Sequence, residues 1–194
     1  TWGTLTFGQQ NSVYYDVVGA KTDIWDYDMI GQAPGNGING DYDGSYRSRK
    51  MLKYKKTVGD ADIYASYLFE DNEYLPGNGL RYKRKGGGSL GLDYHLTKDL
   101  TWGTAWNYTR ADMRNPANGD SETYNQNILG TALSWKPDNW TFSAGGGWYQ
   151  NFLTTKKVST DDYFAGDAWG IEYFAGYKFP INQYAVKSIQ PYFM

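Results

Sequence analysis

Residues 90–110 read Leu90-Gly91-Leu92-Asp93-Tyr94-His95-Leu96-Thr97-Lys98-Asp99-Leu100-Thr101-Trp102-Gly103-Thr104-Ala105-Trp106-Asn107-Tyr108-Thr109-Arg110, and this stretch decides the fold. From Leu90 to Leu96 the even positions are apolar and the odd ones small or polar. After Thr97-Lys98-Asp99 the pattern resumes, with Trp102, Thr104, Trp106 and Tyr108 set against Gly103, Ala105, Asn107 and Thr109. Successive side chains of a strand point to opposite faces, so each half is a strand with one greasy and one small or polar face. The break between them has the chemistry of a tight turn.

The same period recurs along the chain. Leu129, Thr131, Leu133 and Trp135 form one such face, as do Trp140, Phe142, Ala144, Gly146 and Trp148, and then Trp169, Ile171, Tyr173, Ala175, Tyr177 and Phe179. Ile63, Ala65, Tyr67 and Phe69 make a shorter one. Short turns at 58–60, 97–99, 137–139 and 180–183 alternate with long polar loops at 11–46, 71–80, 111–122 and 154–166. That alternation is the pattern of an up-and-down barrel with tight periplasmic turns and long outer loops. The runs predict about nine strands, near 1–10, 48–57, 61–70, 81–97, 100–110, 123–136, 139–153, 167–179 and 184–194. Single-chain bacterial barrels have even strand numbers, so a chain in strand character at both ends is expected to be a fragment of a longer barrel, with residues 1–194 forming one partial barrel domain.

The rings agree. Trp102, Trp135, Trp140 and Phe179 sit beside short turns, whereas Tyr67, Phe69, Tyr108, Trp148 and Trp169 sit towards long loops. Trp140 and Trp148 are eight residues apart, which is about 26 Å along a strand and about 20 Å of height at a tilt near 40°, close to the apolar band of an outer-membrane barrel. Aromatic residues make up 18% of the chain, although its mean hydropathy is −0.69. No run approaches the roughly 20 apolar residues of a membrane helix. A soluble β-sandwich or lipocalin-like barrel also alternates, but its strands are usually about 5 or 6 residues long and its outward face is charged. The expected fold is therefore an all-β, transmembrane, antiparallel up-and-down β-barrel in the bacterial outer membrane.

The absence of Cys excludes disulfides and thiolate chemistry, and a net charge of −2 gives no support to nucleic-acid binding.

Gly3-Thr4-Leu5-Thr6-Phe7-Gly8-Gln9-Gln10, followed by Val13-Tyr14-Tyr15-Asp16, resembles the strand that enters the constriction loop of Gram-negative trimeric general porins. In that family a phrase of this kind leads into a long loop that folds inward, and residues 11–46 are long enough to be that loop. The resemblance implies about sixteen strands in a complete barrel, a homotrimer, and passive diffusion of small hydrophilic solutes and ions. The family commonly carries Arg just after the Phe-Gly pair, and this chain has Gln9 there.

On that resemblance the loop is expected to be acidic, through Asp16, Asp23, Asp26, Asp28, Asp41 and Asp43, and the facing wall basic. Arg47, Arg49, Lys53 and Lys55 share one parity, and Arg81, Lys83 and Lys85 share that of Ser89, Asp93 and His95, so all seven are expected to line the lumen. Opposed charges across a narrow passage orient dipolar solutes and bias ion passage. The same cations would otherwise occupy the polar rim and meet water or lipopolysaccharide. Trp25, Tyr27, Tyr42 and Tyr46 suggest a second reading, a saccharide-selective channel with sugar-stacking rings in its loop. A barrel enzyme would need a nucleophile near His95, the one histidine, and no nucleophile motif is present. Gly86-Gly87-Gly88 lacks the ending of a phosphate loop, and Gly145-Gly146-Gly147 sits within a strand, where glycine permits close approach. No cofactor or metal is expected; the expected surroundings are lipid bilayer and lipopolysaccharide.

Overall fold

The structure, a computed structural model, describes residues 2–23, 40–75, 79–151, 166–183 and 186–194. One antiparallel sheet dominates: β1 (Thr4–Asn11), β2 (Arg47–Val58), β3 (Ala61–Leu68), β4 (Arg81–His95), β5 (Leu100–Arg114), β6 (Ser121–Trp135), β7 (Trp140–Gln150) and β8 (Ala168–Tyr177) pair in chain order. A ninth member, β11 (Tyr192–Phe193), pairs with β8 through Gly176 and Ala175. The up-and-down order follows from the alternating patterns, because consecutive strands joined by short turns have no cheaper partner than each other. Among the described residues β1 and β11 do not pair, so the sheet is open between them.

Two expected boundaries change. The turn at 180–183 and the strand at 184–194 are replaced by a separate hairpin of β9 (Phe179–Gln183) and β10 (Val186–Ile189). Pro191 has no amide proton to donate, and the long sheet regains only two residues after it. The loop expected at 111–122 shrinks to 115–120, because β5 and β6 stay in register from Leu100↔Trp135 to Arg114↔Ser121.

One face of the sheet is apolar and uncovered. Phe7, Tyr67, Trp102, Trp106, Leu129, Trp135, Trp140, Trp148, Trp169 and Ile171 are all exposed there. On β5 the ring polar atoms are satisfied within the wall: Trp102 Nε1 donates to Thr131 Oγ1 (2.8 Å), Trp106 Nε1 to Asn127 Oδ1 (3.1 Å) and the Tyr108 hydroxyl to Asn125 Oδ1 (2.8 Å). A surface facing lipid requires this, since hydrocarbon offers no hydrogen-bond partner. The core lies on the opposite face.

Candidate functional site

The opposite, inner face is built of small side chains, and the first part of the long loop lies against it. Residues 13–22 are helical, with a π-helical section at Tyr15–Gly19 and an α-helical turn at Ala20–Thr22. Val13, Tyr14, Val17 and Val18 are fully buried and form one cluster with Tyr64, Ala105, Ile128, Ala132 and Tyr149 of the wall. Glycines make the trough. A Cβ at Gly91 would stand 2.5 Å from Val13 Cγ1, one at Gly130 2.5 Å from the Tyr14 hydroxyl, one at Gly145 2.8 Å from Thr22 Cγ2, and one at Gly103 would collide with the Val17 carbonyl. At Gly103 the obstacle is the backbone of the segment, and at Gly91, Gly130 and Gly145 it is the packed side chains of Val13, Tyr14 and Thr22, so glycine at all four lets the segment lie close to the wall. Burial, and then the neighbouring Tyr149, push the Tyr14 phenol well above its usual range, so it stays neutral.

Two ion pairs pin the segment. Lys53 Nζ of β2 meets Asp16 Oδ2 at 2.6 Å, and Lys21 Nζ meets Asp93 Oδ2 of β4 at 2.8 Å. The Ser143 hydroxyl adds a hydrogen bond to the Lys21 carbonyl. The loop thus presents an acid to the wall at Asp16, facing Lys53, and a base at Lys21, facing Asp93. Asp23 accepts from the Tyr15 hydroxyl within its own segment. Beside Lys53 a polar cleft of ≈ 390 Å³ is lined by Thr4, Thr6, Gln10, Asp16, Lys53, Lys55 and Tyr64. Lys55 holds Asp62 at 2.7 Å, and His95 lies 3.8 Å from the same carboxylate.

The far end of the loop is tied to the upper rim. Asp43 is buried, and its carboxylate accepts from the Ser45 amide (2.8 Å) and hydroxyl (2.6 Å). Its carbonyl accepts from Asn107 and Thr109. Asp43 is thus a turn-forming group, which corrects the expectation of a charge facing an open lumen. Tyr42 stacks on Tyr74 with centroids 4.0 Å apart, and the Arg49 guanidinium lies 5.1 Å over its ring. Tyr46 packs edge-on against Tyr15 at 4.8 Å. Both rings are spent on protein contacts, which corrects their assignment as free sugar-stacking surfaces. Trp25, Asp26, Tyr27 and Asp28 lie outside the described residues, as does the Asp41 side chain.

Two β-bulges overturn part of the predicted basic wall. In β2, Gly8 opposes Met51 but Gln10 opposes Ser48, and Lys50 takes a φ of 48°. The extra residue reverses the alternation, so buried Ser48, and not Arg47 or Arg49, shares a side with Met51, Lys53 and Lys55. In β4 the register shifts between Arg84 and Gly86. Above that point Tyr82 and Arg84 turn inward, while Arg81 and Lys83 face outward opposite Arg114 and Asp112. Arg81 pairs with Glu73, Lys83 with Glu70, and Lys85 with Glu70 and Asp112.

The inward cation is Arg84, fully buried, which was not singled out from the sequence. Its guanidinium donates to the carbonyls of Phe69 (3.0 Å), Tyr42 (2.7 Å) and Arg49 (2.5 Å), and Asp71 lies 3.7 Å away. Burial alone would raise the Asp71 carboxyl, but the Asn72 amide, Lys50, Arg84 and Arg49 hold it below the usual carboxylate range. Among the described residues no group of three or more His, Asp or Glu side chains is arranged to hold a metal ion.

One solved structure shares this fold. OmpF of Salmonella typhi, solved in complex with daunomycin, superposes with a TM-score of 0.63 at 18% identity, covering 91% of this chain and 52% of OmpF. A loop L8 deletion mutant of OmpT, an outer membrane protein of Vibrio cholerae, gives a TM-score of 0.37 at 16% identity, over 92% of this chain and 65% of that one. The chain thus spans about half the length of OmpF. No curated protein matches the sequence significantly. The autotransporter beta-domain profile matches residues 71–193, beginning after the segment on which the porin resemblance rests. A matched stretch of that extent, on an antiparallel sheet with an outward apolar belt, makes this a bacterial outer-membrane β-barrel protein that belongs to the autotransporter beta-domain family.

Proposed function

We propose that the barrel forms a water-filled channel for passive diffusion of small hydrophilic solutes and ions, narrowed by residues 11–46. One observation carries this reading: the helical segment 13–22 lies on the glycine-lined inner wall and leaves a polar cleft of ≈ 390 Å³ beside the Asp16–Lys53 pair. The segment is held at both ends by β1 and β2, so it is a loop of the wall and not a threaded end of chain. Opposite charges across the cleft give a local field that sorts ions while leaving room for water. Filtering by size and charge needs no nucleophile, cofactor or metal, and we do not propose an enzyme. The general-porin relationship and its homotrimer belong to the same proposal, resting on residues 3–16.

Single-channel conductance of the full-length protein in a planar bilayer tests it, first with a salt gradient and then with added oligosaccharides. Steady conductance that sugars leave unblocked is the expected result. Sugar-dependent blocking would favour the saccharide-selective channel, and no conductance would sink the pore. The family match supports a second reading, in which the barrel is the membrane domain of an autotransported protein. Protease shaving of intact cells separates the two, because only that reading requires a further portion of the protein to become surface-exposed through the barrel.

A further inference from the structure

The outward face carries a feature that diffusion through the lumen does not use. Arg110 and Arg114 of β5 share the outward parity of Trp102, Trp106 and Tyr108. Arg110 is eight residues beyond Trp102, which sits beside a short turn; that is about 20 Å of height at a tilt near 40°, the far border of the apolar band. Arg110 and Arg114 therefore stand at and above the interface on the long-loop side, which in these barrels is the outer leaflet.

The charges there do not cancel. Arg81 is directly opposite Arg114 in the β4–β5 ladder, a like-charge pair that destabilises a sheet unless an anion intervenes. Glu73, Glu70 and Asp112 are already engaged by Arg81, Lys83 and Lys85. Arg110 and Arg114 are exposed and form no ion pair among the described residues. Immediately below lie Trp106 and Tyr108, whose rings stack 6.2 Å apart and whose polar atoms are bonded to Asn127 and Asn125 of β6, leaving the ring faces apolar.

We propose that this patch binds the phosphate of an outer-leaflet lipid headgroup, with Arg110 and Arg114 as the phosphate contacts and the rings below them packing the proximal acyl chains. A guanidinium pair offers forked donors that match phosphate oxygens. A soluble anion would gain only the charge contact, whereas a lipid also places apolar chains on the apolar wall below.

The test uses the full-length protein folded in detergent and native mass spectrometry, with three probes: diphosphorylated lipid A, its dephosphorylated form, and inorganic phosphate alone. Lipid A is expected to bind, and Arg110→Gln with Arg114→Gln to weaken it roughly thirtyfold, as follows from two interfacial charges. Arg110→Lys with Arg114→Lys keeps the charge but not the fork and should recover part of the affinity that the glutamine pair loses, which separates lost charge from lost folding. Lys136→Gln, an exposed cation beside a short turn at the opposite end, should change nothing. Equal binding by the glutamine pair, equal binding of dephosphorylated lipid, or comparable binding of inorganic phosphate alone would each overturn the proposal. None of these outcomes depends on whether the lumen conducts.

Discussion

Lys53 Nζ lies 2.6 Å from Asp16 Oδ2, and this contact joins strand β2 to the inner helical segment across 37 residues of chain. Both side chains are mostly buried, at 13% and 24% exposure, so removing either partner strands a charge at the cleft. Asp16→Asn and Lys53→Met are expected to shift the reversal potential in a salt gradient in opposite directions, the first towards anions and the second towards cations. In urea unfolding, a double-mutant cycle should give a coupling of about 1 kcal/mol. A coupling near zero would mean that the segment is held by the glycine trough alone.

The trough itself is testable at Gly103 and Gly130. A side chain at Gly103 meets the Val17 carbonyl, and one at Gly130 meets the buried Tyr14 ring. Gly103→Val should lift residues 13–22 from the wall, with about 1–3 kcal/mol of overpacking cost. Larger conductance and new protease cleavage near Tyr15, with unchanged strand content by circular dichroism, is the expected result. Gly59→Val is a poor control because Gly59 has a φ of 59° in a turn; Ala144→Val on the outward face is the better one.

Much of this was legible. Period-2 runs such as Trp102 to Tyr108 placed the strands and identified the lipid face, because hydrocarbon enforces alternation without exception along a spanning strand. The charged ends of the strands were not legible. Arg81-Tyr82-Lys83-Arg84-Lys85 carries cations on both parities, so the residue types are silent about which face is inward. One extra residue between Arg84 and Gly86 decides it, and that bulge is set by pairing with β5 rather than by local sequence. The same holds at Lys50. Lys21 was missed because the resemblance supplied an acidic loop, and only packing shows that Asp93 faces it.

The β4 bulge predicts opposite outcomes for adjacent cations. Arg84→Met would leave three backbone carbonyls and Asp71 without their shared donor in a buried site, at a cost of about 3–5 kcal/mol. Lys83→Met removes an exposed pair with Glu70 and should stay within about 0.5 kcal/mol. Thermal or urea unfolding of the two variants checks this. The reverse order, with Lys83→Met the costlier variant, would mean that the alternation continues unbroken through Lys85, as the sequence alone suggested, and equal effects would count against the buried Arg84 clamp.

Asp71 links this rim clamp to pH. Its carboxyl is fully buried, and the Asn72 amide, Lys50, Arg84 and Arg49 outweigh burial to hold it below the usual carboxylate range. A group whose folded value is depressed stabilises the fold at every pH above its unfolded value, about 3.9. That contribution is lost as pH falls through the folded value, because the unfolded chain takes up the proton first. Rim stability should therefore be flat from neutral pH down to about 5 and decline below about 4. The expected trace is accelerated protease cleavage around residues 69–75 in that acid range, with Asp71→Asn uniformly more labile and lacking this acid step. An acid step of the same size in Asp71→Asn would assign the transition to other carboxylates.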